Sequence, residues 1–441
     1  VAAGSTRPAN ECFVSRLKRP VNARGVALEV LLRTEQGGAW ADRALTAEAS
    51  KANLDRRDRA FAAQLAAGTI KAQRVLDAMV LALGKRDPDD LDAETRSIVR
   101  LGAYQLVMLD RVPPHAAVST SVDLANARRG KGGGGLVNAL LRRVSEGGRE
   151  WLDALPDETI TDAALRRSYP DWIAETWEQA FGGEVARALM DAGNDTPEVA
   201  FRISTLRTGA EDRIYADFDR LDVTLGMDEH APDARVVEGA VDLVSLESFQ
   251  SGDLVPMSRS AQRIAPFLAP EPGMRVLDAC AAPGGKSGHI AALLGGGEGL
   301  TCVERDESRA RQLVETLHRQ GVDGHRVMPI DIFSLPAEEQ GFDRILVDAP
   351  CSGFGTIGSR PDLRWRRTPE DVARLAAMQR GMVDFLVPRL APGGVLVFAV
   401  CTLGTTESDS ADGYAVDEVL TLRPDEGAGE GFVATRLAAT S

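Results

Sequence analysis

At 441 residues, 44% hydrophobic and 26% charged, the chain is too long for one hydrophobic core and has the composition of an ordinary soluble protein of two or three domains. It has no apolar run of about 18 residues and no charged-then-apolar leader, so neither a membrane span nor a signal peptide is expected, and the cytoplasm is the default location. The net charge of −14 argues against a nucleic-acid binder only as a total: residues 1–150 carry 24 Lys and Arg against 17 Asp and Glu (+7), and residues 151–441 carry 27 against 48 (−21).

Residues 1–20 have little apolar periodicity and read as a flexible tail. From Val21 to about Glu150 apolar residues recur at three- and four-residue steps, as in Ile98, Leu101, Tyr104 and Met108 or Leu136, Leu140 and Val144. Breaks at Gly37-Gly38, Gly84 to Pro88, Pro113-Pro114 and Gly130 to Gly135 divide this region into helices, which predicts an all-α bundle over 21–150. Two stretches within residues 1–150 are basic and free of acids: Arg128, Arg129, Lys131, Arg142 and Arg143 in one, Arg16, Lys18, Arg19 and Arg24 in the other. They suit a phosphate backbone through counterion release, or else form a solvated helix surface. Arg57-Asp58-Arg59-Ala60, the run Arg100 to Leu106 and the run Leu136 to Arg143 resemble the NusB-type RNA-binding domain.

Residues 151–265 are mixed. Trp172, Trp177 and Phe181 sit at helical spacing after Pro170, and Ala200 to Ser204 reads as a strand, so a linker and small α/β RNA-binding subdomain is expected. Residues 266–441 alternate strands (Met274 to Cys280, Leu300 to Glu304, Arg326 to Ile330, Arg344 to Asp348, Val395 to Cys401) with helices (Ser308 to Gln320, Pro369 to Leu390), which predicts a parallel, doubly wound sheet. Ligands of such sheets sit beyond the carboxyl ends of the strands, where the chemistry-bearing residues fall.

The first of these strands runs into Ala281, Ala282, Pro283, Gly284, Gly285, Lys286 and Ser287 and then a helix, so glycines admit a ligand to the backbone and a helix N-terminus offers free N–H groups. A P-loop would need glycine at position 280, which is Cys280, and the dinucleotide G-x-G-x-x-G is absent. Glu304 ends the second strand, placed to take ribose hydroxyls, and Asp331 closes the third, near where an adenine would lie. S-adenosylmethionine satisfies this arrangement.

Five cysteines (Cys12, Cys280, Cys302, Cys351, Cys401), odd in number and without a C-x-x-C pair, argue against a disulfide framework or a zinc ribbon, so no metal is expected. Cys351 in Asp348-Ala349-Pro350-Cys351-Ser352-Gly353 and Cys401 in Val400-Cys401-Thr402 each end an apolar run. Those two segments, Arg360-Pro361-Asp362-Leu363-Arg364-Trp365, and Asp278 to Ser287 resemble the motifs of RNA cytosine-5 methyltransferases. With the NusB-like region they make the chain, over residues 21–437, similar to the RsmB (Sun/Fmu) family of 16S ribosomal RNA methyltransferases.

The resemblance implies an all-α NusB-like domain followed by an α/β Rossmann-like S-adenosylmethionine-dependent methyltransferase domain. It implies that Cys280 to Lys286, Glu304, Asp331 and Asp348 surround S-adenosylmethionine, that Cys401 is the nucleophile and that Cys351 assists product release. The chemistry asks for two such thiols. Carbon 5 of cytosine is a poor nucleophile until a thiolate adds to carbon 6, and the proton on carbon 5 must leave before that thiolate is expelled. Asp348 is the candidate to share a proton at N3. Arg360, Arg364, Arg366, Arg367 and Trp365 form a basic, aromatic stretch suited to phosphate contact and base stacking. The expected partner is RNA, with the chain acting as a monomer.

Departures from the family pattern are Val400 for threonine, Ser204 for asparagine, Val255-Pro256-Met257-Ser258 for V-Q-D, and Glu407-Ser408 for Glu-Asn. Ser204 and the 255–258 run are expected near the RNA path. The alternatives are a DNA cytosine-5 methyltransferase, with Cys351 as nucleophile, and a non-catalytic RNA-binding assembly factor.

Overall fold

In a computed structural model of the chain, residues 22–438 are described, apart from 131, 240 and 412. The expected tail, with Arg16, Lys18 and Arg19, lies outside the described residues, as does Lys131. The chain divides into two compact units after Leu155. The helix Gly134–Asp153 runs unbroken past residue 150, so the division falls five residues beyond the expected one.

The first unit holds the helices Ala23–Glu35, Ala41–Lys51, Arg56–Lys71, Gln73–Gly84, Ala93–Val107, Pro114–Arg129 and Gly134–Asp153. Their ends follow local chemistry. Asn22, Asp55 and Asp92 cap N-termini by accepting backbone N–H groups, Pro114 opens its helix with a preset φ, and Gly130 (φ +80°) stops it. Leu28, Leu65, Leu76, Met79, Ile98 and Leu101 form the interior. Part of the expected basic surface is committed internally: Arg128 is largely buried and paired with Glu29 and Glu94, and Arg129 pairs with Asp92. These carboxylates come from other helices, invisible to a local count of charge. Arg142 and Arg143 are exposed, with Arg143 also donating to the Gly84 carbonyl at 2.7 Å.

The second unit opens with the helices Ile160–Arg166, Asp171–Phe181 and Gly183–Asn194. They are no linker, because the Trp177 indole is buried and donates to the Leu403 carbonyl at 2.9 Å. Strands β1 (Val199–Ile203), β2 (Leu225–Met227), β3 (Ala234–Val237) and β4 (Leu254–Pro256) then form an antiparallel sheet in the order β2-β3-β1-β4. The helix Ala210–Arg220 covers it, stacking Phe218 on Phe201 at 5.4 Å.

The large sheet is built from β5 (Val276–Asp278), β6 (Leu300–Val303), β7 (Arg326–Met328), β8 (Phe342–Asp348), β9 (Leu390–Val400), β10 (Val416–Leu422) and β11 (Phe432–Ala438), in the order β10-β11-β9-β8-β5-β6-β7. Strands β5 to β9 are parallel as expected, but β11 runs antiparallel to both β9 and β10. The sheet is therefore mixed. The stretch 423–431 between β10 and β11 is too short for a parallel crossover, which needs a dozen residues or more. The helix expected to reach Leu390 stops at Leu386 because Pro388 cannot continue it, and Leu390 begins β9. Chain order reverses at β5, with β6 on one side and β8 on the other, so a cleft opens at the carboxyl ends of these strands.

Candidate active site

β5 ends at Asp278, and the loop to Gly284 turns sharply into the helix Gly285–Leu294. Gly284 holds φ +105°, and a Cβ there would also meet Leu313 Cδ1 at 2.9 Å, so both conformation and space demand glycine. Asp278 is buried. Ser287 Oγ donates to its Oδ2 at 2.7 Å while Oδ1 has no protein partner. Across the loop, Arg309 donates to the Ala282 carbonyl at 2.8 Å and lies 3.5 Å from Glu304, whose other oxygen accepts the Asp306 N–H at 3.0 Å. Asp331 is exposed at the end of the loop after β7 and accepts from the Phe333 N–H at 3.0 Å. A buried acceptor without a partner, a helix N-terminus and a strand-end acid are the donor and acceptor set that a nucleoside carrying an amino acid requires. Burial, with Asp348 and the nearby acids, pushes the Cys280 thiol up, so it is an inert wall of this loop.

Burial also raises the Asp278 carboxyl from 3.8 to about 6, against the Ser287 hydrogen bond. The folded state therefore keeps a proton that the unfolded chain has lost between pH 4 and 6, and stability falls as pH rises through that window. In cofactor-free protein, Asp278→Asn is expected to match the parent at pH 4 and to exceed it by about 1–3 kcal/mol at pH 7.5. Urea unfolding at the two pH values measures this.

The second half of the site lies at the ends of β8 and β9. Cys351 Sγ and Cys401 Sγ are 3.3 Å apart, both partly exposed. Beside them Lys286 Nζ donates to Asp348 Oδ2 at 2.7 Å and lies 5.0 Å from the Phe432 ring centroid. Burial pulls the Lys286 ammonium down, but Asp348 and then Cys401 more than offset it, and the group is held charged. Cys351 is pushed well up, first by its hydrogen bond with Cys401, then by burial and by the charges of Glu407 and Asp348. These causes favour its protonated form, in contact with the Cys401 sulfur.

Two backbone crossings keep these loops together. Gly355 N–H donates to the Cys401 carbonyl at 3.1 Å, and Gly431 N–H to the Gly355 carbonyl at 2.8 Å. A Cβ on Gly355 would come within 2.1 Å of the Gly431 carbonyl oxygen, a backbone atom with nowhere to move. Gly355→Ala is expected to cost about 2–4 kcal/mol and to remove methylation, which thermal unfolding and a methyl-transfer assay together would show.

The residues expected to meet RNA after Cys351 separate in the fold. Arg364 is a correction: it is fully buried, its guanidinium 3.8 Å over the Tyr169 ring, donating to Ser168 O (3.2 Å), Asn194 Oδ1 (3.0 Å) and Tyr169 Oη (3.1 Å). It fastens the helices of 160–194 to the site and faces no solvent. Arg366 pairs with Asp362, and Arg367 donates to the carbonyls of Cys351 and Ser352 at 3.3 Å, bracing that loop. Arg360 is exposed and Trp365 half-buried. Ser204, Val255 and Met257, expected near the RNA path, are buried, with Ser204 Oγ donating to the Gln320 carbonyl at 3.2 Å and Ser258 capping a helix. Among the residues missed is Gln379, mid-helix and without any sequence signal, whose amide donates to the Pro350 carbonyl at 2.9 Å.

Residues 265–429 match the 16S rRNA methyltransferase RsmB/F family, and residues 21–146 match the NusB family. The chain is 31% identical over 390 residues to ribosomal RNA small subunit methyltransferase B of Pseudomonas putida, covering 88% of this chain and 87% of that protein. The chain belongs to the ribosomal RNA small subunit methyltransferase B family. The corresponding enzyme of Escherichia coli is 30% identical, with 88% of each chain covered. Among solved structures, PH0851 superposes with a TM-score of 0.77 at 20% identity, covering 94% of this chain and 98% of that one. NSun6 from Pyrococcus horikoshii with SFG gives 0.57 at 20% identity, covering 62% of this chain and 99% of that one. The first unit thus contains a NusB-family domain and the second an S-adenosylmethionine-dependent methyltransferase domain of the RsmB/F family.

Proposed function

We propose that the enzyme methylates carbon 5 of a cytosine in 16S rRNA, with Cys401 as covalent nucleophile and Cys351 assisting release. The observation that carries this reading is the pair of sulfurs 3.3 Å apart beside the Lys286–Asp348 ion pair, at the carboxyl ends of adjacent strands.

The loop Cys280 to Lys286, with Glu304, Asp331 and Asp348, would hold S-adenosylmethionine, which would supply an electrophilic methyl carbon. The target base is single-stranded or flipped, the latter costing a few kcal/mol. Cys401 sulfur adds to carbon 6, and the displaced ring electrons make carbon 5 nucleophilic. The proton that Cys401 gives up on adding passes by way of the Asp348 carboxylate to N3, where charge builds on the ring, with the Lys286 ammonium balancing that carboxylate. Once carbon 5 carries the methyl, its proton passes to water, the C5–H electrons restore the C5–C6 double bond, and the C6–S bond breaks toward Cys401. The Cys351 thiol, donating to that sulfur, steadies it as it leaves. Arg360 and Trp365 beside the site, and Arg142 and Arg143 on the NusB-family domain, contact the RNA.

With 16S rRNA carrying tritium at carbon 5 of cytosine, methylation is expected to release one tritium to water per methyl transferred, and nuclease digests to contain 5-methylcytidine. Methyl transfer without tritium release would place the methyl elsewhere and reject the reading.

A further inference from the structure

We propose that Glu407 is a positioning residue that clasps the Cys351 loop to the Cys401 loop and so sets the rate of product release. This inference rests on the cysteine roles proposed above.

Glu407 stands six residues after Cys401, buried, in the short helix Thr405–Ser408 that follows β9. A buried carboxylate must be matched by donors, and here they come from the opposite loop. Its Oε1 accepts the Ser352 N–H and the Gln379 side-chain amide, each at 2.9 Å, and its Oε2 accepts the Ser352 hydroxyl. Ser352 is the residue next to Cys351. The Ser352 hydroxyl also lies 2.7 Å from that of Thr402, next to Cys401, and Gln379 reaches Pro350 O from the far side and takes a bond from Ser410 at 3.1 Å. All five of Ser352, Gln379, Thr402, Glu407 and Ser410 are buried.

Every donor to this carboxylate therefore belongs to, or braces, the segment carrying Cys351, whereas its backbone belongs to the segment carrying Cys401. Charge-assisted bonds of this kind are shorter and stronger than neutral ones. The negative charge also faces Cys351 and disfavours its thiolate. One group thus fixes the sulfur–sulfur separation and adds to the hydrogen bond and burial that favour the Cys351 thiol. Release needs both: carbon 5 gives its proton to water, the C6–S pair returns to Cys401, and a neutral Cys351 within reach receives that charge as a hydrogen-bond donor.

Glu407→Gln tests this, with Ser352→Ala as a second variant that removes one bond and leaves the carboxylate. With 16S rRNA and S-adenosylmethionine, Glu407→Gln is expected to lower kcat about ten-fold or more and leave KM for RNA within about two-fold. It should accumulate a denaturation-resistant protein–RNA adduct, and Ser352→Ala should do the same to a smaller degree. Without RNA, iodoacetamide alkylation of Cys351, mapped by peptide mass, should move to lower pH in Glu407→Gln, because a negative neighbour is gone. A loss of kcat without adduct, or an alkylation profile that does not move, overturns the proposal. Cys351→Ala run in parallel separates the two readings: if it traps no adduct, the cysteine roles fail on their own, and the alkylation profile alone decides the part of Glu407.

Discussion

Cys401→Ala is expected to abolish methylation, lowering turnover by about 10³-fold or more, and to form no denaturation-resistant adduct with 16S rRNA, while Cys351→Ala is expected to accumulate one. The geometry makes these outcomes unequal even though the sulfurs touch. Cys351 is held as a thiol by its bond to Cys401, by burial and by the nearby carboxylates, so it is a poor nucleophile and a competent donor. On the proposed mechanism, removing it would leave addition to carbon 6 possible and strip the departing sulfur of its partner. Removing Cys401 leaves nothing to add. Incubating each variant with rRNA and S-adenosylmethionine, then separating protein under denaturing conditions, distinguishes them. An adduct on Cys401→Ala and none on Cys351→Ala would exchange the two roles. No adduct on either variant, with no methylation by the parent, would leave RNA binding as the chain's activity.

Arg364→Ala is expected to cost roughly 3–5 kcal/mol in stability and to leave RNA affinity of the folded protein unchanged. The substitution empties a fully buried site and strands the Ser168 carbonyl, the Asn194 amide oxygen and the Tyr169 hydroxyl that the guanidinium joins. Arg364→Lys should not restore it, because one ammonium cannot span the planar fork and stack on the ring. Denaturant unfolding gives the first quantity and filter binding, at a temperature where both proteins are folded, gives the second. A loss of affinity with stability intact would return Arg364 to the RNA surface.

The contrast between Arg364 and Arg360 shows what can be read from the chain alone. Apolar runs ending in Asp278, Glu304, Asp348 and Cys401 placed those residues at one face, because a strand buried on both sides is written as a continuous apolar stretch and its end is where polar chemistry resumes. Helix boundaries in the first unit were legible for a similar reason, since Gly, Pro and capping residues act locally. A cluster of arginines carries no such mark. Whether Arg128 meets Glu29 or Arg364 meets Tyr169 depends on partners 99 and 195 positions away. Glu407 was equally hidden: its position could be noted, but its burial against Ser352 follows only from the packing of two loops. The reversal at β11 was obscured because direction is decided by the connection, and the residues of an antiparallel strand buried in a sheet look like those of a parallel one.

That last strand also bears on how the protein is made. β11 enters the sheet between β9 and β10, both of which precede it in the chain, and brings Gly431 against Gly355 and Phe432 against Lys286. Until it emerges from the ribosome, β9 has an open edge and the loops bearing the two thiols lack their outer wall. The order of the sheet is therefore not the order of the chain: β9 and β10 are joined only through a seven-residue segment that follows both.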